Sequence, residues 1–469
     1  MRNLGFIGYL GFLGFFVGAT IPSAVAAGPL TYRHLHFLFT LDPATHPEWL
    51  SHAEKWTWNG TPLQPPPSWK VDGDVVPPLP AGVTREDAIA WDRDAIRRTI
   101  ENVIGKALAR PAGDVIIHRT ETGGIVFDGV GLTGREVDLG IAADLTVAAL
   151  EQNLTEIELP VIETQPKIRV TDPELVKQGI KEVVTIGESD FSRSPDNRRK
   201  NIAVGLKKFK GHLIPAGGVF SFDTVLGPVD GTTGFVKELV IKGDRTEPDY
   251  GGGLCQVSTT AYRGVWEYGF PILKRKNHSY TVSHYSPPGT DATVYPGSAD
   301  MVFRNDLSHA LLIQTYAKGN LAYFIYYGTR DARKTDLVGP FVYDKTPPPP
   351  NKTELSIDIP PGTTKKLNER VPGLKALWYR FLQPETGSGK METVFSQYEA
   401  RPLFTAIGVS QLPEGYKGPS GADLFIDDIA PSVPGESSSS ESTSALQTSS
   451  TSSTSSAKEL PFIQLKFPH

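Results

Sequence analysis

A single cysteine, Cys255, serves a chain of 469 residues. No internal disulfide can brace such a chain, so each domain must stand on its own apolar core. Hydrophobic residues, at 39 %, suffice for cores of ordinary size, and the length suggests roughly two to four domains. C-x-x-C and His-rich zinc spacings are absent from the sequence, which gives no reason to expect a metal, and no motif calls for a cofactor. The net charge of −5 lacks the basic surplus of a nucleic-acid binder.

The cysteine lies in the most distinctive stretch of the chain. Gly251, Gly252 and Gly253 lead into it. Val257, Ala261, Gly264, Val265 and Tyr268 then fall on one face of a 3.6-residue period, which predicts a helix. Gly269 and Phe270-Pro271 predict its end. Ser279 to Tyr285, entered through Asn277-His278, reads as a strand. Pro287-Pro288-Gly289 turns the chain, and Asp291 begins another extended piece.

A cysteine at a helix start, followed by histidine and then aspartate, is the inventory of thiol catalysis. Unpaired N–H groups and the helix dipole lower a thiol pKa, histidine carries the proton, and a carboxylate orients the imidazole. The candidates are Cys255 as nucleophile, His278 as base and Asp291 as orienting group. Gly253 permits close approach of a substrate, and the N–H groups of Cys255 and Gln256 are candidates for an oxyanion hole. Tyr280 and His284 are candidate substrate contacts. His284 is also a rival base, since six residues along an unbroken strand share a face. Each feature has a plainer reading. Free cysteine packs as a small hydrophobe, aspartate caps turns, and aromatic residues on strands fill cores.

The run Gly-Gly-Gly-Leu-Cys-Gln-Val-Ser-Thr-Thr, with His278-Ser279-Tyr280 and Asp291-Ala292-Thr293-Val294, resembles the core of the VanW-like family of bacterial envelope proteins. The likeness extends from about Phe220 to Tyr326. It implies a cell-envelope setting rather than a given reaction. The Cys–helix–His–Asp order separately resembles transglutaminase-like and papain-like thiol enzymes, an analogy of pattern.

Before this core, residues 1–26 read as a signal peptide: Arg2, an apolar run, then Ala24-Val25-Ala26. The protein is then expected to be secreted or extracytoplasmic, in the periplasm or cell wall, and membrane-bound only if this segment stays uncleaved. Residues 27–83 form a segment of uncertain fold. Within it Tyr32 to Phe39 alternates as a strand with His34 and His36 on one face. Residues 84–165 predict helix, two strands, helix and strand, with Thr84 and Asp87 as a capping box. This order resembles the small peptidoglycan-binding domain that precedes some cell-wall transpeptidases and implies a wall polymer as partner. In residues 172–330, the core, a helix follows Ser194-Pro195 with a basic outer face, and strands close the domain after Met301. Residues 331–352 read as a Pro-rich linker, 353–411 as a β-rich module, and 412–469 as a mostly disordered Ser/Thr-rich tail. The fold class is therefore multi-domain α+β, with helices packed on an antiparallel sheet in the core and a small all-β module behind it. Two functions fit. One is a cysteine-dependent hydrolase or transferase acting on peptidoglycan peptide amides. The other is a non-catalytic wall-binding scaffold with a structural cysteine.

Overall fold

The computed structural model describes residues 28–64, 78–242, 245–384 and 387–416. The expected signal peptide, the prolines at 65–67 and most of the Ser/Thr-rich tail lie outside them. The fold is α+β and dominated by small sheets, and the described residues fall in one compact unit. Among the described residues no helix is long and apolar enough to cross a membrane.

The centre is a four-stranded antiparallel sheet in the order Glu182–Asp190, Leu321–Gly328, Leu311–Lys318, Leu213–Ile214. The helix Leu254–Tyr268 lies against its first strand. Two glycines permit the approach. A Cβ on Gly187 would sit 1.8 Å from the Thr260 carbonyl oxygen, and one on Gly264 would sit 2.5 Å from the Gly187 nitrogen. The helix Asp196–Phe209 follows Ser194-Pro195 and buries Ile202, Leu206 and Phe209 in the same core. The glycine cap at Gly269 is left-handed, at φ 103°, as its sequence predicts.

The N-terminal part departs from the sequence expectation. Residues Thr84 and Asp87 lie in a strand, Val83–Trp91, paired along its whole length with Leu50–Trp58. The helix starts later, at Arg93, where the Asp92 side chain accepts the Ala95 N–H at 2.9 Å. Nine residues of sheet pairing outweigh a local cap signal. Residues 30–41 form a hairpin rather than one strand, turned at Leu35 with φ 53°. His36 thus sits in the turn and bonds Glu267 at 2.5 Å, while His34 stays in the strand. Among the described residues no group of three or more ligating side chains could hold a metal. The strand pair Val115–Arg119 and Ile125–Gly129 contributes Val115, Ile117 and Phe127 to a cluster shared with Leu312, Ile325 and Tyr327 of the central sheet. The region 84–165 is therefore not closed off from the core.

Residues 331–352 are not simply a linker. Lys334–Thr346 is a strand paired with Gly373–Gln383, which pairs in turn with Lys390–Tyr398. Pro340 is tolerated because the register shifts between Val338 and Phe341. The inner face of this sheet carries Ala376, Trp378 and Arg380, all buried. Trp378 meets Trp266 edge-on at 5.6 Å, and Arg380 donates to the carbonyls of Trp266 and Phe270 at 2.8 and 3.0 Å. A cation thus satisfies the carbonyl end of the Leu254–Tyr268 helix. The C-terminal sheet is seated on the same helix whose other end carries Cys255.

Candidate functional site

Gly253 caps the start of the helix with φ 116°. A side chain there would be strained, and its Cβ would come within 3.1 Å of the Arg198 carbonyl oxygen. Cys255 follows in the first turn, partly exposed on the floor of a groove of about 1230 Å³. Its Sγ is 3.6 Å from the Val294 carbonyl oxygen.

The expected strand Ser279–Tyr285 is instead a loop ending in a single 3-10 turn, Ser283–Tyr285. Its backbone is engaged by side chains and by the C-terminal sheet, not by a neighbouring strand. Arg263 donates to the carbonyls of Tyr285 and Ser286 at 2.9 Å each, and the Glu399 N–H donates to Ser279 O at 2.6 Å. The same-face argument for His278 and His284 therefore lapses. Asp291 likewise lies in irregular chain. The two residues still meet. Asp291 Oδ2 accepts both the His278 backbone N–H, at 2.8 Å, and Nδ1, at 2.6 Å. Tyr285 stacks on the imidazole with ring centroids 4.5 Å apart. These contacts fix the ring and assign the proton on Nδ1 to the carboxylate, which leaves Nε2 as the working nitrogen.

His278 Nε2 and the Thr293 hydroxyl are both buried without a hydrogen-bond partner. Both lie by Cys255 in the groove wall. Thiol and imidazole nonetheless act on one another's titration. Burial works against ionising the thiol; His278, then the Val294 backbone and Thr293, overcome it and hold Cys255 below its ordinary range. Burial also works against the imidazolium; Asp291 and Cys255 override it and raise His278 to about 9. Burial would push the Asp291 carboxyl up, but His278, Arg275 and Tyr398 hold it well below the usual range. The shifts agree in sign, and the proton belongs on nitrogen, giving thiolate and imidazolium. Loose apo geometry between thiol and base is ordinary before a substrate closes it.

The other sequence candidates divide. Tyr280 lines the groove and is covered by the Arg401 guanidinium at 4.2 Å from its ring. His284 also lines the groove; burial and then Arg198 keep its imidazole below the ordinary range. Gln256 belongs elsewhere. It is fully buried, its carboxamide accepts from Arg198 at 2.9 Å and donates to Ser189 at 2.8 Å, and its backbone N–H is bonded to Gly253 O at 3.0 Å. It holds the helix start in place and offers nothing to a substrate. Sequence reasoning missed Thr293, Arg275 and Tyr398. Arg275 donates to Asp291 Oδ1 at 3.1 Å and to the Asp291 carbonyl at 2.7 Å. Thr293 sits within the quoted Asp-Ala-Thr-Val run and was legible there; Tyr398 had no local signal.

A partly exposed thiol at a helix start, beside an imidazole held by a carboxylate, makes a Cys–His–Asp constellation within one groove. All three residues fall inside the segment 197–326, which matches the family described as VanW like protein, so this part of the chain is a VanW-like domain. The chain is similar to the uncharacterized protein YoaR of Bacillus subtilis strain 168, 32 % identical over 183 residues, covering 38 % of this chain and 57 % of that protein. It is also similar to the vancomycin B-type resistance protein VanW of Enterococcus faecalis strain ATCC 700802 / V583, 28 % identical over 117 residues, covering 24 % of this chain and 42 % of that one. The chain thus spans about half the length of the curated relatives it matches.

Proposed function

We propose that this is a cell-envelope thiol hydrolase or transferase acting on amide bonds of peptidoglycan peptides. The observation that carries the reading is the unpartnered Nε2 of His278 beside a depressed, partly exposed thiol in an open groove. The Ala24-Val25-Ala26 leader and a relative named for vancomycin resistance support an extracytoplasmic setting with the wall polymer as partner. The N-terminal region as a second wall-binding part rests on its order of elements alone.

The chemistry follows from the residues. The Cys255 thiolate attacks the amide carbonyl, forming a C–S bond. The negative oxygen lies near the Cys255 N–H at the helix start and the free Thr293 hydroxyl, two donors at the developing charge. Collapse breaks the C–N bond, and the His278 imidazolium gives its proton to the leaving amine. A thioester remains. His278, now neutral, takes a proton from water or from an acceptor amine as that nucleophile attacks. The C–S bond breaks, releasing an acid or a new amide and restoring thiolate and imidazolium. Asp291 stays ionised throughout and holds the imidazole.

The test is incubation of purified sacculi with wild type and with Cys255→Ala. Wild type should release new free amino and carboxyl ends, or exchange a supplied amine into the polymer, and the variant should do neither. Equal, absent turnover by both, with a thiol that alkylates only after denaturation, would leave a scaffold.

A further inference from the structure

The VanW-like segment ends at residue 326, yet the carboxylate of its site is held by a residue far beyond it. The Tyr398 hydroxyl donates to Asp291 Oδ1 at 2.5 Å and accepts the Gly289 N–H at 2.7 Å. Ser396, two residues earlier on the same strand, accepts from Arg275 Nη1 at 2.7 Å, and Arg275 in turn donates to Asp291. The strand's end also grips the His278 loop directly. The Gln397 carbonyl accepts from Asn277 Nδ2 at 2.7 Å, and the Glu399 N–H donates to Ser279 O. Tyr398 and Ser396 are both buried.

We propose that Tyr398 is a positioning residue for the thiol site, so that the C-terminal sheet completes a site that the VanW-like domain cannot complete alone. This rests on the thiol reading above. Asp291 sits in irregular chain after a turn, where no ladder of backbone hydrogen bonds fixes its side chain. Oδ2 serves His278. Oδ1 must be held by something else if the carboxylate is not to rotate, and Tyr398 and Arg275 are what hold it. The tyrosine hydroxyl has its acceptor side filled by Gly289, so its proton has one direction to point. Loss of that hydroxyl frees the carboxylate to turn, weakens its bond to Nδ1 and lowers the fraction of time the imidazolium faces the sulfur. Arg275, still bonded to Oδ1, keeps Asp291 ionised, so the effect expected is one of orientation rather than of charge.

The experiment is the pH dependence of Cys255 alkylation by iodoacetamide in the full chain, with wild type, Tyr398→Phe, Ser396→Ala and His278→Ala, each checked for folding by thermal unfolding. Removing one hydrogen bond to a charged group, felt at one remove, should raise the apparent thiol pKa by about half a unit to one unit in Tyr398→Phe. A smaller rise in the same direction is expected for Ser396→Ala. A merely structural tyrosine would lower the melting temperature and leave the thiol pKa where it was. An apparent pKa in folded Tyr398→Phe that does not rise overturns the proposal. If that variant does not fold, Ser396→Ala decides by the same criterion. His278→Ala separates the two layers. If it fails to raise the thiol pKa, the Cys–His reading itself is wrong. If it raises the pKa and the Tyr398 variant does not, only the role of the C-terminal sheet falls.

Discussion

Asp291→Asn keeps the shape of the side chain and removes its charge, and the geometry dictates the consequence. Oδ2 accepts two donors from His278, at 2.8 and 2.6 Å, while Oδ1 accepts from Arg275 at 3.1 Å and Tyr398 at 2.5 Å. An amide has one acceptor oxygen. Turned to His278, it sets its NH2 group against Arg275 and Tyr398; turned the other way, it sets the NH2 against His278. Breaking a buried ion pair by removing one partner costs about 3–5 kcal/mol. Arg275 keeps the carbonyls of Gly289 and Asp291 and the Ser396 hydroxyl, so the lower end, about 3 kcal/mol, is expected. The thiol feels more. Asp291 heads the influences that hold His278 near 9 against burial, and without it only Cys255 opposes burial, so the imidazole falls back towards its ordinary 6.5. At pH 7 the imidazolium then drops from nearly all of the population towards about a quarter. The thiolate loses its counter-charge, and Cys255 returns to an ordinary thiol pKa of about 8.5 or above. Because the chain has one cysteine, whole-protein mass is a sufficient readout of alkylation. Initial rates with iodoacetamide should level off at a lower pH in wild type than in the variant. In the variant they should climb about tenfold per pH unit through neutral pH, as for a thiol titrating above the range. A folded variant that alkylates at pH 6–7 as fast as wild type refutes the electrostatic argument.

Two further outcomes test the fold. Gly187→Ala places a methyl group 1.8 Å from the Thr260 carbonyl oxygen, backbone against backbone, so the helix must move off the sheet; a loss of about 3 kcal/mol or more in urea unfolding is expected, and a midpoint unchanged from wild type contradicts the packing. Glu267 is pushed up to about 8 by burial, with His36 held well below its ordinary value by the same cause, so both are neutral in the folded state. A carboxyl whose folded pKa is raised keeps its full contribution below the unfolded value and loses it as pH rises towards 8, at about 1.4 kcal/mol per unit in between. Glu267→Gln mimics the protonated acid, so its stability relative to wild type should grow from pH 5 to pH 8 in thermal melts. A constant difference across that range argues against a buried neutral acid.

What could be read from sequence was what is locally encoded. The Leu254–Tyr268 helix announces itself by period and by glycines at both ends, and the Asp196–Phe209 helix by a proline at its start. Cys255, His278 and Asp291 were legible as a set because residue type and order suffice to suggest the chemistry. Most of the failures come from partners distant in sequence. Thr84 and Asp87 look like a cap until Leu50–Trp58 claims them for a sheet. Ser279–Tyr285 alternates like a strand, but Arg263 takes the carbonyls at its end and no strand lies alongside. Pro340 suggests a linker until a register shift accommodates it inside a strand. Gln256, next to the cysteine, looks like an oxyanion donor, but Arg198 and Ser189 engage its side chain and Gly253 its amide.

The charges of the site explain why these distant partners had to be recruited. Arg275, Asp291 and His278 each have buried side chains, and an unpaired charge there would be costly. Lined up as guanidinium, carboxylate, imidazolium and thiolate, they alternate in sign and sum to zero, and each interior charge has an opposite on both sides. Break the alternation at Asp291, and the two cations on either side of it are left to face each other. The array therefore holds only if the carboxylate is kept ionised and kept still. Arg275 does the first, through a loop within the VanW-like domain. The second needs a donor fixed to something rigid, and the rigid element within reach is the strand Lys390–Tyr398, anchored through its sheet to the far end of the helix that begins at Cys255. One helix thus presents the thiol at its first turn and, at its last, seats the sheet that orders the thiol's charge partners.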